Sequence, residues 1–214
     1  MQCCVRVNGY LSEWFNTTSG VKQGCLLSPT LFSLYVNDLA EEIKRLNCGV
    51  RCEDDIVSIL LFADDIVLLA ENEHNLQLML NQLNAWCYRW RLSINNDKTK
   101  IVHFRSKNNS VSDFEFTCGE APINYVTSYK YLGLWFDEHL NMKKAVKELA
   151  HSASRALGVL KSKFFAAGGM DFKVFTKLYD SLVQPILLYG SGIWGINNHR
   201  EINVIQNKAC IDCF

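Results

Sequence analysis

The stretch ILLFADDIVLLA, residues 59–70, places two adjacent aspartates, Asp64 and Asp65, in an otherwise apolar run of twelve residues. A buried carboxylate costs several kcal/mol unless it is paired or binds a cation, so this run restricts the possible folds. The apolar segment on each side has the length of a strand and is too short for a helix. We therefore expect a tight antiparallel hairpin with both aspartates at its tip, where the two carboxylates can approach one site.

Two carboxylates at such a tip have two interpretations. In two-metal phosphoryl transfer, carboxylates hold a pair of divalent cations, which in turn hold the attacking and leaving oxygens. Bound cations would also neutralise the aspartates and remove the cost of burying them. The alternative is an aspartate-rich surface turn, because Asp is a good turn former. Turns are normally flanked by polar residues, so the apolar strands on both sides favour a Mg²⁺ or Mn²⁺ site at Asp64 and Asp65.

Charge is distributed unevenly along the chain, although the formal net charge of the 214 residues is zero. Residues 1–75 carry 5 Lys+Arg against 11 Asp+Glu, whereas residues 76–214 carry 17 against 11. An acidic half followed by a basic half suits a protein that places metal in one region and a polyanion along another. Two ordinary solvated surfaces would give the same pattern.

The nine cysteines are scattered and give no disulfide framework. The N-terminal residues MQCCVRVNGYL have neither the basic flank nor the apolar core of a secretory leader. We therefore expect an intracellular, reducing setting in which thiols act as small core residues. A zinc site at Cys210 and Cys213 with His199 would lack an evident fourth ligand. No apolar run reaches the roughly 18 residues of a membrane span.

The hydrophobic patterns predict an α+β part followed by an all-α part, with the boundary near residue 140. Asn8-Gly9 is expected at the turn of a hairpin, and Ser28-Pro29 is expected to begin a helix with a capping hydroxyl. The apolar face of that helix should contain Leu31, Leu34, Tyr35, Leu39, Ile43 and Leu46. The expected helices cover residues 28–46, 73–90, 143–163, 172–189 and 201 to the end. The expected strands and hairpins cover residues 4–15, 56–70, 100–104, 114–126 and 129–136.

Four stretches follow one another in a specific order: SGVKQGCLLSPTLFSLYVNDLAEEI, LLFADDIVLLAEN, LSINNDKTKIVHF and YKYLGLWFD. Together they resemble reverse transcriptases, above all those of non-LTR (LINE-type) retrotransposons. The later stretch VFTKLYDSLVQPILLYGSGIWG resembles the helical thumb of the same elements. The resemblance implies part of an RNA-directed DNA polymerase acting on an RNA template and a DNA primer. Its small antiparallel sheet and helices would form an incomplete palm over residues 1–140, and residues 141–214 would form the thumb.

The resemblance implies three catalytic residues. Asp64 would be the principal metal ligand and Asp65 its neighbour, and Phe62 and Ala63 would fill the first two places of the aromatic-x-Asp-Asp box. Lys98 resembles the lysine that can donate a proton to the leaving pyrophosphate. A solvated loop lysine would explain Lys98 equally well without the resemblance.

The resemblance also implies contacts with nucleotide and nucleic acid. Gln23 and Gly24 would lie against the nascent base pair, with glycine allowing close backbone approach. Leu132 and Gly133 match the primer grip, although an ordinary strand with a glycine kink would explain them too. The first thumb helix would present a basic face to a duplex backbone, or would simply be a solvated helix. The basic residues of this helix are Lys143, Lys144, Lys147, Arg155, Lys161 and Lys163.

One metal ligand of the resembling enzymes has no counterpart in this sequence. A further aspartate is expected on an earlier palm strand, yet only nineteen residues precede Gly20 and their sole acidic residue is Glu13. Glu53, Asp54 and Asp55 fall before the first strand of the predicted hairpin, so we do not expect them to substitute. Two adjacent carboxylates offer few of the oxygens that Mg²⁺ requires. We therefore expect weak metal binding and no polymerisation by this chain alone.

Two functional hypotheses remain open from the sequence. The first is a reverse-transcriptase-like fragment with an incomplete two-metal site. The second is a non-catalytic remnant that binds nucleic acid or a protein partner through its basic half.

Overall fold

The structure, a computed structural model, describes residues 2–17, 20 and 24–211. The chain divides into two compact units, each with its own core. Unit 1 comprises Met1–Asn96 and Phe114–Ile123, and unit 2 comprises Asp97–Asp113 and Asn124–Phe214. The boundary predicted near residue 140 falls inside unit 2.

The described residues form helices and two-stranded antiparallel pairs. The helices are α1 (Ser28–Arg45), α2 (Glu73–Trp90), α3 (Lys143–Ala166), α4 (Phe172–Leu182), α5 (Gln184–Leu187), α6 (Ser191–Trp194) and α7 (Arg200–Ile211). The strands of unit 1 are β1 (Gln2–Cys3), β2 (Arg6–Val7), β3 (Tyr10–Leu11), β4 (Phe15–Asn16), β5 (Val50–Cys52), β6 (Asp55–Val57), β7 (Ile59–Phe62), β8 (Asp65–Leu68), β9 (Phe116–Cys118) and β10 (Ala121–Ile123). The strands of unit 2 are β11 (Ser128–Tyr131) and β12 (Leu134–Asp137).

The strands pair in the antiparallel direction, as predicted, but they form separate two-stranded pairs and not one sheet. Each described strand has one partner: β1 pairs with β4, β2 with β3, β5 with β6, β7 with β8, β9 with β10 and β11 with β12. The hairpin predicted at Asn8-Gly9 is confirmed, since β2 and β3 pair around these two residues, and both have positive φ. The predicted single small sheet is wrong for the described residues.

Helix α1 begins where Ser28-Pro29 predicts it, with the proline in its first turn. The predicted hydroxyl cap is wrong, because the N-cap residue is Leu27 and makes no side-chain capping bond. The buried face consists of Val36, Leu39 and Ile43. Leu31 and Leu34, expected on that face, are exposed, since Phe32 and Tyr35 are the residues of the first two turns that pack against the core.

Helix α2 has the predicted bounds. Asn72 caps its first turn by accepting a hydrogen bond from the Asn75 amide at 2.9 Å. Arg91 ends it in the left-handed conformation, with a φ of 55°. The buried side chains recur at helical spacing, which is the pattern that predicted the helix. They are Met79, Leu80, Leu83, Trp86 and Cys87.

The Asp38 carboxylate joins α1 to α2. Its Oδ1 accepts a hydrogen bond from the indole Nε1 of Trp86 at 3.0 Å, and its Oδ2 accepts one from Nε1 of Trp90 at 3.1 Å. Trp86 is only 1% exposed, so its N–H has no access to water. Tyr35 packs edge-on against both indole rings and donates its hydroxyl to the Trp90 carbonyl. The Asp38 carboxylate thus holds α1 against α2 at the point where their aromatic side chains pack together.

The hairpin of β7 and β8 lies on this helix pair. Ile59, Leu61, Ile66 and Leu68 pack against the core of α1 and α2. They alternate with Leu60 and Phe62, which are 43% and 60% exposed. The period of two therefore buries one face of the hairpin and leaves the other in solvent.

Unit 2 is built around α3, which buries Val146, Ala153, Leu157 and Leu160 together with Leu134 of the β11–β12 hairpin. The stretch 129–136, predicted as one strand, is two strands joined by a turn at Leu132-Gly133. The stretch 100–104, predicted as a strand, forms only one isolated bridge, from Ile101 to Tyr125.

The helices after α3 confirm the all-α pattern but not every boundary. The predicted helix 172–189 ends at Leu182, and α5 starts anew at Gln184. Pro185 explains the break, because it lacks the N–H that a continuous helix would use and its ring clashes with the preceding turn. The stretch Gly190–Gly195, predicted as a break, contains the short helix α6.

Several thiols act as core residues, as predicted. Cys48, Cys87 and Cys118 are buried, whereas Cys52 is exposed. Burial raises the pKa of Cys87 and of Cys118 above the usual value of a thiol, and Cys118 adds to the shift of Cys87. Cys213 lies outside the described residues, as do the contacts of the Cys210 side chain. No helix in the described ranges is long and apolar enough to cross a membrane.

Replacing Asp38 with Ala should destabilise unit 1 by about 1–3 kcal/mol, because the buried Trp86 N–H then has no acceptor. Native-state hydrogen exchange of the α1 and α2 amides measures this change. Glu41→Ala on the same helix is the control, since its ion pair with Lys44 is long, at 3.9 Å, and exposed. That change should stay within about 0.5 kcal/mol. Equal effects of the two substitutions would contradict the role given to Asp38.

Candidate functional site

The tip of the β7–β8 hairpin is a two-residue turn. Phe62 and Asp65 form the last strand pair, and Ala63 and Asp64 connect them. Ala63 has a φ of 51°, in the left-handed region that a residue with a Cβ adopts only at a cost. The prediction of a tight antiparallel hairpin with the aspartates at its tip is confirmed.

Both carboxylates at this tip are exposed. Asp64 occupies the turn, and Asp65 opposes Phe62 on the hairpin face that points away from α1 and α2. The expectation that the apolar run would bury the aspartates is wrong, because alternation directs the apolar side chains to the helices and leaves the tip beyond them.

The described residues supply only part of what a divalent cation needs. Mg²⁺ prefers six oxygen ligands in octahedral geometry, and two adjacent carboxylates provide few of them. Across the part of the chain that the structure describes, no group of three or more His, Cys, Asp or Glu residues is arranged to hold a metal ion. Asp64 and Asp65 by themselves therefore do not fit a two-cation site.

A second hairpin repeats the local sequence of the first. The tetrapeptide Asp-Asp-Ile-Val occurs at 54–57 and again at 64–67. In the β5–β6 hairpin, Glu53 has a φ of 54° and Asp55 begins the second strand, as Ala63 and Asp65 do in β7–β8. Asp54 and Asp55 are exposed as well. The two tips differ in the strands that carry them, since only β7–β8 contributes both of its strands to the α1–α2 core.

The residues predicted to contact the base pair are only partly described. Gln23 lies outside the described residues. Gly24 is exposed in a turn with a φ of 79°. A Cβ built there would meet no described atom within 4 Å.

Lys98 lies in unit 2, whereas Asp64 and Asp65 lie in unit 1. It is exposed in the turn that follows α2. Its carbonyl accepts a hydrogen bond from the hydroxyl of Tyr129 on β11, at 2.9 Å. Arg105, further along the same segment, forms an ion pair with Glu138 at 2.8 Å in which both side chains are largely buried. These contacts fix the Lys98 segment to the β11–β12 hairpin.

Leu132 and Gly133 form the turn of that hairpin. Tyr131 and Leu134 are the last strand pair, and both turn residues have positive φ, 45° and 87°. A glycine is therefore suited to the second position. The turn replaces the single kinked strand that was one of the two interpretations of these residues.

The basic residues of α3 are not equivalent. Lys143 and Lys147 are exposed. Lys144 instead donates to the Ser128 hydroxyl at 2.7 Å, and its ammonium lies 3.6 Å from the centre of the Trp135 ring. A cation above an aromatic face is attracted by the ring quadrupole, so Lys144 also fastens α3 to the β11–β12 hairpin.

The sequence did not predict the contacts of Tyr129, Ser128 and Trp135. Tyr129 binds the Lys98 carbonyl, and Ser128 and Trp135 bind the Lys144 ammonium, so one hairpin contacts both lysines. Residues 128–131 alternate polar and aromatic side chains, and this was the available signal. It indicated a strand but not its partners, because the two hydrogen bonds join residues 16 and 31 positions apart in the chain.

Comparison with known proteins decides the family. Residues 1–136 match the sequence model of the family described as "Reverse transcriptase (RNA-dependent DNA polymerase)". This match covers more than half of the chain. The chain belongs to the reverse transcriptase family.

Individual relatives place the chain among non-LTR retrotransposon reverse transcriptases, as its four motifs predicted. It is 30% identical over 200 residues to a probable RNA-directed DNA polymerase from transposon BS of Drosophila melanogaster, covering 89% of this chain and 22% of that protein. It is 28% identical over 195 residues to the RNA-directed DNA polymerase from mobile element jockey of Drosophila funebris, covering 88% of this chain and 20% of that protein. The chain thus spans about a fifth of the length of these two relatives.

A shorter relative is matched over more of its length. A transposon-derived protein of Caenorhabditis elegans is 33% identical over 153 residues, which is 72% of this chain and 54% of that protein.

The left-handed Ala63 gives a direct test of the hairpin tip. Ala63→Gly should stabilise unit 1 by about 0.5–1 kcal/mol, because glycine removes the left-handed strain at some cost in unfolded-state entropy. Ala85→Gly, at an exposed position within α2, should instead destabilise it by about 1 kcal/mol. Urea unfolding of the three proteins measures both signs. A destabilising Ala63→Gly would show that the turn does not have the described conformation.

Proposed function

We propose that this chain carries the catalytic hairpin and the primer-contacting hairpin of an RNA-directed DNA polymerase. Its partners would be an RNA template and a DNA primer. The observation that carries the proposal is the pair Asp64 and Asp65 at the tip of a hairpin seated on α1 and α2, in a chain of the reverse transcriptase family. In this assignment residues 1–140 act as palm and residues 141–214 as thumb.

Asp64 and Asp65 contribute two carboxylates to a Mg²⁺ or Mn²⁺ site. Both side chains are exposed and adjacent, so a cation can reach them from solvent. Because no third ligand stands beside them among the described residues, the site is completed by a carboxylate from elsewhere. The chain by itself then lacks the charge stabilisation on which phosphoryl transfer depends.

Three of the other proposed site residues lie in unit 2. Lys98 would protonate the leaving pyrophosphate, and Leu132 and Gly133 would contact the primer. Tyr129 supports this grouping, since its hydroxyl ties the Lys98 carbonyl to the strand that leads into the Leu132-Gly133 turn. Gln23 and Gly24 would support the incoming nucleotide.

Metal binding should be weak and should depend on the β7–β8 tip. Titration with Mn²⁺ should show binding only at roughly millimolar metal, because few protein oxygens are available. Asp64→Asn should abolish it. Asp54→Asn is the matched control, since it changes the same turn position in the β5–β6 hairpin. Tight binding lost in Asp64→Asn would reveal a third ligand, and equal losses in both variants would remove the special role of Asp64.

The 214-residue chain should not extend a primer. Without a third cation ligand the rate should fall by several orders of magnitude, since cation-held charge stabilisation and substrate positioning act together. The test is primer extension on an RNA template, with Asp64→Ala as the blank. Extension by the wild-type chain above that blank would mean that the described carboxylates suffice and that the proposed incomplete site is wrong.

A second function, nucleic-acid binding without catalysis, is favoured by one observation. Lys143, Lys147 and Arg155 are exposed on α3, and Glu148 is the only acidic residue between positions 141 and 165. Such a face suits the backbone of a duplex, which is bound without regard to sequence.

Duplex binding should depend on the exposed lysines of α3. Lys143→Glu with Lys147→Glu should weaken binding to an RNA–DNA duplex by at least about tenfold and should reduce the salt dependence. Lys144 is left unchanged, because it holds the β11–β12 hairpin. Lys173→Glu with Lys177→Glu on α4 makes the same charge change at exposed positions of the same unit. Equal losses from both pairs would place the contact outside α3.

A further inference from the structure

The Leu132-Gly133 turn is covered by a residue from far along the chain. The Tyr189 hydroxyl donates a hydrogen bond to the Leu132 carbonyl, with 2.6 Å between the two oxygens. The ring of Tyr189 lies over the next residue, since a Cβ built on Gly133 would be only 3.2 Å from its Cε1. Tyr189 therefore binds one residue of the turn and lies close against the other.

The position of Tyr189 is itself fixed from two sides. Its carbonyl accepts a hydrogen bond from the indole Nε1 of Trp194 at 2.9 Å. The adjacent Gly190 approaches the hairpin so closely that a Cβ there would lie 2.4 Å from Cδ1 of Leu134. Leu134 and Trp194 are both buried in the core of unit 2. The core thus holds the backbone at residues 189–190 against the hairpin.

Core packing does not explain the tyrosine side chain. Tyr189 is 49% exposed and does not belong to the buried cluster that holds its backbone. A hydroxyl at this exposed position stabilises the fold little, because water can replace it. The Tyr189 hydroxyl instead binds the carbonyl of Leu132, a non-glycine residue in the left-handed conformation.

We propose that Tyr189 is a positioning residue for the Leu132-Gly133 turn. This inference rests on the proposed function, in which that turn contacts the primer. Tyr189 holds the turn in one orientation, so that the 3′ end of a primer meets a rigid backbone rather than a mobile loop tip. Preorganisation of this kind lowers the entropy lost on binding and so favours the correctly placed strand.

The first experiment measures the turn itself. Tyr189→Phe removes the hydrogen bond and keeps the ring, so the protein should fold with an unchanged unfolding midpoint. The NMR order parameters of the Leu132 and Gly133 amides should fall from about 0.85 towards 0.6 or less. Tyr88→Phe, which removes an exposed hydroxyl from α2, should leave them unchanged. Order parameters that stay high in Tyr189→Phe overturn the inference.

The second experiment measures the primer contact. The probes are an RNA–DNA duplex with a recessed DNA 3′ end and a blunt duplex of the same length. Wild type and Tyr88→Phe should prefer the recessed end by about five- to tenfold, and Tyr189→Phe should lose that preference while binding the blunt duplex as before. A preference retained by Tyr189→Phe overturns the inference.

These outcomes separate the inference from the proposed function. A wild-type protein that binds both duplexes equally contradicts the primer contact, and with it the proposed role of the turn. Gly133→Ala provides a second variant, because its Cβ would press against the Tyr189 ring. This variant should also lower the order parameters of the turn and remove the preference for the recessed end. If the order parameters or the preference stay unchanged, the holding role of Tyr189 is contradicted.

Discussion

The two hydrogen bonds that the indole N–H groups of Trp86 and Trp90 donate to Asp38 are the interactions on which the support of the β7–β8 hairpin depends. A single carboxylate accepts from Trp86 and Trp90 and so fixes α2 against α1. The two helices then present one apolar surface, and the alternating residues of β7 and β8 fill it. The orientation of the hairpin follows from that packing, because shifting its register by one residue would turn every buried side chain outward. Helix packing therefore fixes the orientation of the hairpin that carries Asp64 and Asp65.

The repeated tetrapeptide Asp-Asp-Ile-Val shows that the local sequence alone does not determine the surroundings of the candidate site. Residues 54–57 and 64–67 have the same sequence and form the same type of turn. What separates them is the strand before each turn, which is VRC in β5 and ILLF in β7. Only the second strand packs against the α1–α2 core, through Ile59 and Leu61. Local sequence therefore determines the turn, and its surroundings determine whether the turn stands on a rigid support.

The sequence predicted those features that depend on periodicity along one element. Helix α2 and the β7–β8 hairpin could be predicted because their apolar residues recur at 3.6 and 2 positions. The stretch 100–104 could not, since it makes a single isolated backbone bridge, from Ile101 to Tyr125, instead of a ladder with a strand partner. Lys144 illustrates the same limit within the site. Its position in a basic helix predicted a solvent-facing cation, and only the fold brings Ser128 and Trp135 to it. The family and the identity of Asp64 and Asp65 were accessible from motifs, whereas their exposure was not.

Exposure of the two aspartates explains why adjacent acids are tolerated in so apolar a run. Two like charges about 4 Å apart repel by roughly 1 kcal/mol in water, but by several times more in a protein interior. At the hairpin tip the carboxylates stay hydrated, so the strands gain their apolar burial without desolvating either charge. The same hydration makes the pair a poor cation site on its own, since a metal ion must give up water for few protein oxygens. A third carboxylate brought to the tip would raise the local negative charge and exclude water. Cation binding would then favour the approach of the third carboxylate, and that approach would in turn favour cation binding.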